Sequence, residues 1–390
     1  MLGMRLPLTT SAEAVNDRVS GLPSPRFDDE LVMDLVDWFV ANARSLPWRR
    51  LPLGSDRDPY CVLVSELMLQ QTQVLRVVAR FEAFMARFPT VDALAQADER
   101  EVLGLWAGLG YYRRARLLLA AARVVVDRFG GRFPADVEGL ASLPGVGRYT
   151  AGAIASLAFG QAAAAVDANV GRVLLRLEGE QLAVAETAAR SLTWARAGQL
   201  VQAAVGAGVA PGLCNEALIE LGAVVCRKPG PLCENCPIAV HCKARAQGTQ
   251  ARIPLASRRV RKAVLYVASV RIEDPQGNLA VVERPSSGMW GGLYEAPTLE
   301  RADRAPRAAE IRSWLGLTGG RLAREGSFAF ATTHRDCRFD VYRLTSRQLG
   351  QVCCSLARAH PAWSFLPREK IARLGISSPQ RRILLGQADK

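Results

Sequence analysis

Four cysteines fall within one loop-length stretch: Cys226, six residues, Cys233, two residues, Cys236, five residues, Cys242. Thiols spaced this closely are brought together by any compact fold. Thiolates are strong ligands for soft metals, so the spacing commits the region to surrounding a metal or a metal cluster. The chain carries nine cysteines, an odd number, which argues against a disulfide framework and for scattered reduced thiols beside the metal site. Zinc and iron with sulfide both suit four thiolates, and ligand softness does not choose between them. Arg227, Lys228, Lys243 and Arg245 outnumber Glu234 around the loop, which makes it a candidate contact for DNA.

A second constraint lies upstream, in Leu143-Pro144-Gly145-Val146-Gly147. Two glycines without Cβ let the backbone turn tightly and bring its N–H groups close to a ligand. A helix is predicted from about Arg148 to Phe159, so those amides sit at a helix N-terminus, where unsatisfied donors and the helix dipole favour a phosphate. Leu143, Gly145, Val146 and Gly147 are therefore candidate DNA-binding residues. Asp167 follows one helix later, directly before Ala168-Asn169-Val170-Gly171-Arg172. An Asp in that place is an ordinary N-cap, and it is also a candidate catalytic carboxylate beside the DNA grip.

The run Tyr60 to Val74 reads as a buried helix with a single acid, Glu66, among apolar neighbours. Desolvation would raise the pKa of Glu66 and keep it partly protonated near neutrality, as a general acid requires. The competing reading is a helix face that meets solvent or an arginine. Gln70, Gln71 and Gln73 offer amides to the space left by a displaced base, or cover the helix end. Trp106 to Arg113 sets aromatics beside arginines on a glycine-rich turn, suited to base stacking or to filling a helix junction.

Charge and periodicity divide the 390 residues. The net charge of +13 points to a polyanionic partner. Residues 251 to 390 hold 24 Lys and Arg against 12 Asp and Glu, whereas the first 250 residues hold 26 against 25. The front half must then grip DNA by placed backbone donors and local clusters such as Arg113-Arg114-Ala115-Arg116. Residues 1–26 lack periodicity and read as a disordered leader. Helical patterning occupies 27–247, including Asp28 to Ala43, Ala93 to Leu103 and Tyr111 to Phe129, and Ala162 to Ala165 is helix-compatible. Residues 248–262 read as a linker. In 263–390, Ala263 to Ile272, Leu279 to Glu283 and Phe339 to Leu344 read as strands, and Arg307 to Leu315 and Arg368 to Leu374 as helices, giving an α+β domain. The apolar runs are too short to span a bilayer and Met1 to Arg26 lacks a secretion signal's apolar core, so a cytoplasmic protein is expected, nucleoid-associated if bacterial.

Taken together, Trp48, SELMLQQTQV from Ser65, LWAGLGYYRRAR from Leu105, LPGVGRYTAGAI from Leu143, VDANV from Val166, the four cysteines and ERPSSGMWGGLYEAP from Glu283 closely resemble the MutY-type adenine DNA glycosylases of the helix-hairpin-helix superfamily. The resemblance implies an all-α helix-hairpin-helix glycosylase domain with an iron–sulfur loop at 226–242, followed by a Nudix-like lesion-recognition domain. It implies a monomer that flips adenine out of duplex DNA and excises it from mispairs with 8-oxoguanine or guanine. Glu66 matches the acid that protonates adenine N7, and Asp167 the carboxylate that stabilises the cationic sugar. Tyr149 and Asn169 match supporting residues, and Gln71 and Tyr111 match residues that wedge into the duplex. In endonuclease III-like relatives a lysine at position 149 cleaves the strand through a Schiff base; Tyr149 cannot, and Gly171 supplies no amine, so base removal without strand cleavage is expected.

The cysteine spacing resembles the ligand set of one 4Fe–4S cluster. The second domain lacks the glutamate-rich helix of a Nudix hydrolase after Gly292, so its implied role is reading 8-oxoguanine. Two departures stand out. Asp167-Ala168-Asn169 replaces Asp-Gly-Asn, and Thr332-Thr333-His334 replaces Phe-Ser-His, keeping a hydroxyl at Thr333 and the imidazole of His334 but losing the aromatic. The competing functions are a bifunctional endonuclease III-like lyase and a non-catalytic iron–sulfur module that binds DNA and senses redox state.

Overall fold

A computed structural model of the chain describes residues 29–49, 52–256, 262–317, 322–344, 349–359 and 363–386. The expected leader at 1–26 and positions 257–261 of the expected linker lie outside the described residues. The chain forms two compact units that do not follow its linear order: Met1–Glu66 with Asp127–Arg258, and Leu67–Val126 with Arg259–Lys390.

The first unit is helical. Helix α1 (Asp29–Asn42) buries Leu31, Val32, Leu35, Val36 and Phe39, the spacing that lays one apolar stripe along a helix. Helix α2 (Pro59–Leu69) begins in this unit. Helices α3 (Val74–Arg87), α4 (Val91–Ala95) and α5 (Glu99–Leu105) belong to the second unit, and α6 (Arg113–Phe129) runs back to the first. The remaining helices of the first unit are α7 (Val137–Ala141), α8 (Arg148–Phe159), α9 (Ala168–Glu178), α10 (Thr187–Gly206), α11 (Pro211–Val224) and the short α12 (Lys243–Ala246). Their core joins α1 to Val170, Leu174, Leu200, Val201, Leu218 and Leu221.

Two glycines set how closely these helices approach. A Cβ on Gly152 of α8 would stand 2.0 Å from the Ala164 carbonyl oxygen, and one on Gly222 of α11 would stand 2.7 Å from Asn169 Cβ. Ala162 to Ala165 is accordingly not helical. Gly160 ends α8 in the left-handed conformation, and the loop's polar groups bind the buried Asn215, whose Nδ2 donates to the Ala163 carbonyl at 2.8 Å and whose Oδ1 accepts from Ala165 N at 3.1 Å. An Ala-rich composition permits helix; a packed glycine and a buried amide decide otherwise here.

Other expected helices are cut by local chemistry. The run Tyr60 to Val74 ends as helix at Leu69, because Thr72 N donates to the Leu69 carbonyl at 3.1 Å and Gln71 takes φ +54°. Ala93 to Leu103 is two helices, since Asp98 caps α5 by accepting from Arg100 N at 2.8 Å. Helix α6 starts at Arg113 rather than Tyr111, where φ is +48°. Among the described residues no helix is long and apolar enough to cross a membrane.

The second unit carries the strands. β1 (Ala263–Ile272) lies in a sheet of order β4-β1-β6-β5, formed with β4 (Thr298–Arg301), β5 (Ala323–Ala331) and β6 (Arg335–Leu344). β1 runs parallel to β6; the other pairs are antiparallel. A second sheet has the order β3-β2-β7, from β2 (Leu279–Glu283), β3 (Tyr294–Glu295) and β7 (Ser364–Leu366). β1 is apolar nearly throughout because one core (Leu265, Val267, Val281, Phe339, Ile383) and another (Ala268, Val270, Ile272, Leu315, Leu344) use its alternate residues. The expected strands and the helices α13 (Ala308–Trp314) and α15 (Arg368–Ala372) are present. β4, β5, β7, α14 (Leu349–Ala359) and α16 (Ser378–Leu385) are additional.

Candidate active site

Glu66 is held where its own helix dictates. Val62, Leu63, Val64, Leu67 and Met68 are buried around it, and Glu66 itself is 9% exposed, which excludes the solvent-facing reading. Burial pushes its carboxyl up to about 7; the Tyr149 phenol donating to it and the charge of Arg49 pull the other way, while Asp167 and Glu216 push it higher. Tyr149, on the first turn of α8, is raised well above its ordinary value by burial and by Glu66, so it stays a neutral donor.

Asp167 is the N-cap of α9, and the ordinary reading of it holds. Its Oδ1 accepts from Val170 N at 2.7 Å and its Oδ2 from Asn169 Nδ2 at 3.0 Å. The capping does not remove it from the site, because Asp167 and Glu66 lie within electrostatic range and Asp167 is itself desolvated. Burial raises its pKa, against the pull of the Val170 and Asn169 amides and the charge of Arg172. Asn169 Oδ1 in turn accepts from Arg172 NH2 at 2.9 Å.

Sequence reasoning missed five residues here, two acids and three arginines. Glu216, on α11, faces the same space and forms a buried ion pair with both guanidinium nitrogens of Arg57; Arg49 Nε donates to it at 2.7 Å. Arg49 also reaches Glu220 one turn on, at 3.0 Å, and Glu220 takes Arg44 Nε at 2.5 Å. The signal was available: Glu216 and Glu220 stand four apart on an otherwise apolar helix, the same anomaly that marked Glu66.

The hairpin forms as its glycines require. Gly145 has φ +79°, Leu143 and Val146 are buried anchors, and Val146 N donates to the Leu143 carbonyl at 3.1 Å. No side chain caps Gly147, and a Cβ there would meet nothing within 4 Å. Gly147 and Arg148 are exposed, so the start of α8 lies at the surface, within reach of an anion.

The four cysteines gather at the end of α11. All four are free thiols, Cys226, Cys236 and Cys242 pack against the helical core, and burial raises Cys233, Cys236 (to about 12) and Cys242, each repelled further by Cys226. Arg176 NH1 donates to Cys226 Sγ at 3.2 Å. Clustered thiols that resist ionising alone fit a soft-metal group whose positive charge would stabilise their thiolates, and the facing guanidinium would offset the negative charge left over. Among the described residues no group of His, Cys, Asp and Glu is arranged to hold a metal ion. Arg172 connects the loop to Asn169, its Nε donating to the Cys226 carbonyl at 2.8 Å. Of the basic residues around the loop, Lys243 meets Glu178 at 2.9 Å, Lys228 the Pro254 carbonyl at 2.9 Å, and Arg245 faces Glu234 at 3.6 Å.

In the second unit, Trp106 and Tyr112 are buried and fill the helix junction, whereas Tyr111 is 47% exposed. Its hydroxyl lies 2.5 Å from Thr333 Oγ1, so a candidate wedge and a candidate lesion reader meet. Thr333 and His334 are exposed at the tip of the β5–β6 hairpin. Thr332 closes that turn: its N and Oγ1 donate to the Arg335 carbonyl at 2.8 and 3.0 Å. An aromatic would lack this hydroxyl. Gln71 occupies the turn after α2. In α13 the one acid, Glu310, is engaged by Arg304 at 2.6 Å and by Arg307 N at 2.8 Å.

Comparison with known proteins supports both halves. Residues 64–195 match the HhH-GPD superfamily of base excision DNA repair proteins, and residues 268–386 match the NUDIX domain. The chain is 34% identical to the adenine DNA glycosylase of Homo sapiens, over 90% of this chain and 72% of that protein. It is 36% identical to the adenine DNA glycosylase of Mus musculus, over 90% of this chain and 76% of that protein. A solved structure of a thermostable thymine-DNA glycosylase aligns with 60% of this chain and 99% of its own, at a TM-score of 0.49 and 28% identity.

Proposed function

The chain belongs to the adenine DNA glycosylase family, DNA-binding hydrolases of base excision repair, and from that premise we propose that it removes adenine mispaired with 8-oxoguanine or guanine and leaves the strand intact. The observation that carries this reading is the pairing of Glu66 with Asp167: two desolvated carboxyls in one site with different hydrogen-bond partners.

Adenine leaves poorly as an anion. Glu66, with a pKa of about 7, still holds a proton over much of the neutral range and gives it to N7 of the flipped base. The bond between C1′ and N9 then breaks with its electron pair going to a neutral base. Asp167 is raised by burial, but the N–H bonds it accepts from Val170 and Asn169 favour its charged form, and in that form it offsets the cationic sugar. Water bonds to C1′, and its released proton restores Glu66. Tyr149 supports Glu66 through a hydroxyl and has no amine with which to form a Schiff base. Asn169 fixes the Asp167 carboxylate and is itself fixed by Arg172.

In the same reading, Leu143, Gly145, Val146 and Gly147 shape the hairpin that grips a phosphate. Gln71 and Tyr111 enter the duplex, and Thr333 and His334 read the opposite base. Residues 27–247 form the glycosylase domain, 248–262 the linker and 263–390 the reader, without pyrophosphate hydrolysis because the sequence has no glutamate-rich metal-binding helix after Gly292. Cys226, Cys233, Cys236 and Cys242 would hold one 4Fe–4S cluster, which when bound supplies structural and DNA-positioning support.

The test is single-turnover excision from a duplex with one adenine opposite 8-oxoguanine, with and without alkali. Strand breaks only after alkali are expected. Breaks without alkali would favour a lyase, and intact strands in both lanes with binding retained would favour a binding module.

A further inference from the structure

Among the described residues, Gln71, Tyr111 and Trp290 are the non-glycine positions with positive φ, at 54°, 48° and 58°. Such conformations are strained for residues with a side chain and persist only where the surroundings hold them. Arg114 bonds to both of the turns carrying Gln71 and Tyr111, and Thr72 Oγ1 adds a second link by donating to the Leu109 carbonyl at 3.2 Å. Arg114 is 7% exposed, and its NH1 donates to the carbonyls of Leu67 at 2.7 Å and Met68 at 2.9 Å, at the end of α2 just before the Gln71 turn. Its NH2 donates to Thr72 Oγ1 at 2.9 Å, immediately after Gln71, and to the carbonyls of Leu109 at 3.2 Å and Gly110 at 3.1 Å, immediately before Tyr111. The guanidinium lies 5.5 Å from the Trp106 ring centre and 5.4 Å from that of Tyr111.

These hydrogen bonds go to carbonyls and a hydroxyl. The Arg114 charge therefore rests on the dipoles of a helix end and a turn rather than on a carboxylate partner in these bonds. Burying a cation in this way is unfavourable unless its geometry is needed. What the geometry provides is registration: one planar fork fixes the segment before each strained residue. We infer that Arg114 is a positioning residue that holds Gln71 and Tyr111 in the backbone conformations from which they enter the duplex. This rests on the wedge role proposed above for those two residues.

The experiment compares full-length wild type, Arg114→Lys and Thr72→Val in single-turnover excision of adenine opposite 8-oxoguanine. Two duplexes are used: one fully paired on both sides of the mispair, and one whose flanking pairs are mismatched so that the stack is already weakened. A lysine offers a point charge that cannot span both turns, and R114K should excise on the order of a hundredfold more slowly from the paired duplex, the loss expected of a misplaced positioning group. Thr72→Val leaves the cation but removes the hydroxyl that accepts from Arg114 and donates between the Gln70 carbonyl at 3.3 Å and the Leu109 carbonyl at 3.2 Å, and should lose about fivefold. On the mismatched duplex both variants should return to within about threefold of wild type, since wedge entry no longer limits the reaction.

A purely structural role would slow both duplexes equally, and that result overturns the inference, as does full activity of R114K on the paired duplex. If R114K does not fold, Thr72→Val carries the test with the same outcomes. Wild-type protein that excises from neither duplex overturns the functional reading and this inference with it.

Discussion

Two glutamates, one in each compact unit, are both desolvated and keep opposite company. Burial pushes both Glu66 and Glu295 up to about 7. Glu295 receives both oxygens' hydrogen bonds from Arg284 NH1, at 2.9 and 2.7 Å, and the same nitrogen reaches Glu300 at 2.9 Å. Arg284 is correspondingly raised by these carboxylates. Glu66 has a phenol, two other carboxylates, and Arg49, whose guanidinium is already engaged by Glu216 and Glu220. In the first arrangement the carboxyl faces the guanidinium of an ion pair; in the second it faces a phenol and two further carboxyls, the company that the proposed general acid needs. A raised pKa alone does not mark a catalytic group, and the neighbours decide which kind it is.

Glu66→Gln breaks the comparison most sharply. Excision should fall by roughly 10²- to 10⁴-fold, the usual contribution of a general acid, with binding of the lesion duplex retained; a single-turnover assay beside a binding titration reads both. The next largest effect concerns stability, where the two sites share the cost of burying a carboxyl and differ in what its loss leaves behind. Glu295→Gln removes a carboxyl that burial penalises but leaves Arg284 with Glu300 alone, so the two effects oppose and urea stability at pH 8 should change little, while the excision step at saturating protein is unchanged. Glu66→Gln should instead stabilise the fold at pH 8, by on the order of 2–3 kcal/mol. The sign follows from linkage: folded Glu66 keeps its proton up to about 7, whereas an unfolded glutamate loses it near about 4.3, so between those values the folded chain binds more protons and stability declines as pH rises.

The same property sets the pH profile. Excision should level off toward pH 6 and fall about tenfold per unit well above pH 7, because the reactive form of Glu66 is protonated. The smallest expected effect sharpens the assignment. Tyr149 donates to Glu66 and lowers its pKa, so Tyr149→Phe should move the inflection to higher pH while costing less than about tenfold in maximal rate. An inflection that stays in place would detach the profile from Glu66.

What was legible in the sequence was legible for local reasons. Helix α8 and its glycine hairpin depend on neighbours within a few residues, as do the Asp167 cap and strand β1. The breaks inside the expected helices were not, although their chemistry is local too, because an Asp98 cap or a left-handed Gln71 competes with a periodicity that reads straight through it. The loop at Ala162 to Ala165 was further out of reach, being held by Asn215, some fifty positions away in the chain.

The sequence by itself determined the kinds of groups and their order: an acid in an apolar helix, a two-glycine turn before a helix, a capping Asp, four clustered thiols, and a later α+β region. Tertiary structure alone decided the burial and company of each group. That Glu66 faces Tyr149, Asp167 and Glu216 depends on how α2, α8, α9 and α11 meet, with α11 brought close to α8 at Gly212 and to α9 at Gly222. That Arg114 joins two turns some forty residues apart depends on a guanidinium being enclosed by carbonyls. Composition and spacing are properties of a line, whereas desolvation and charge coupling depend on distances in space, which only packing fixes.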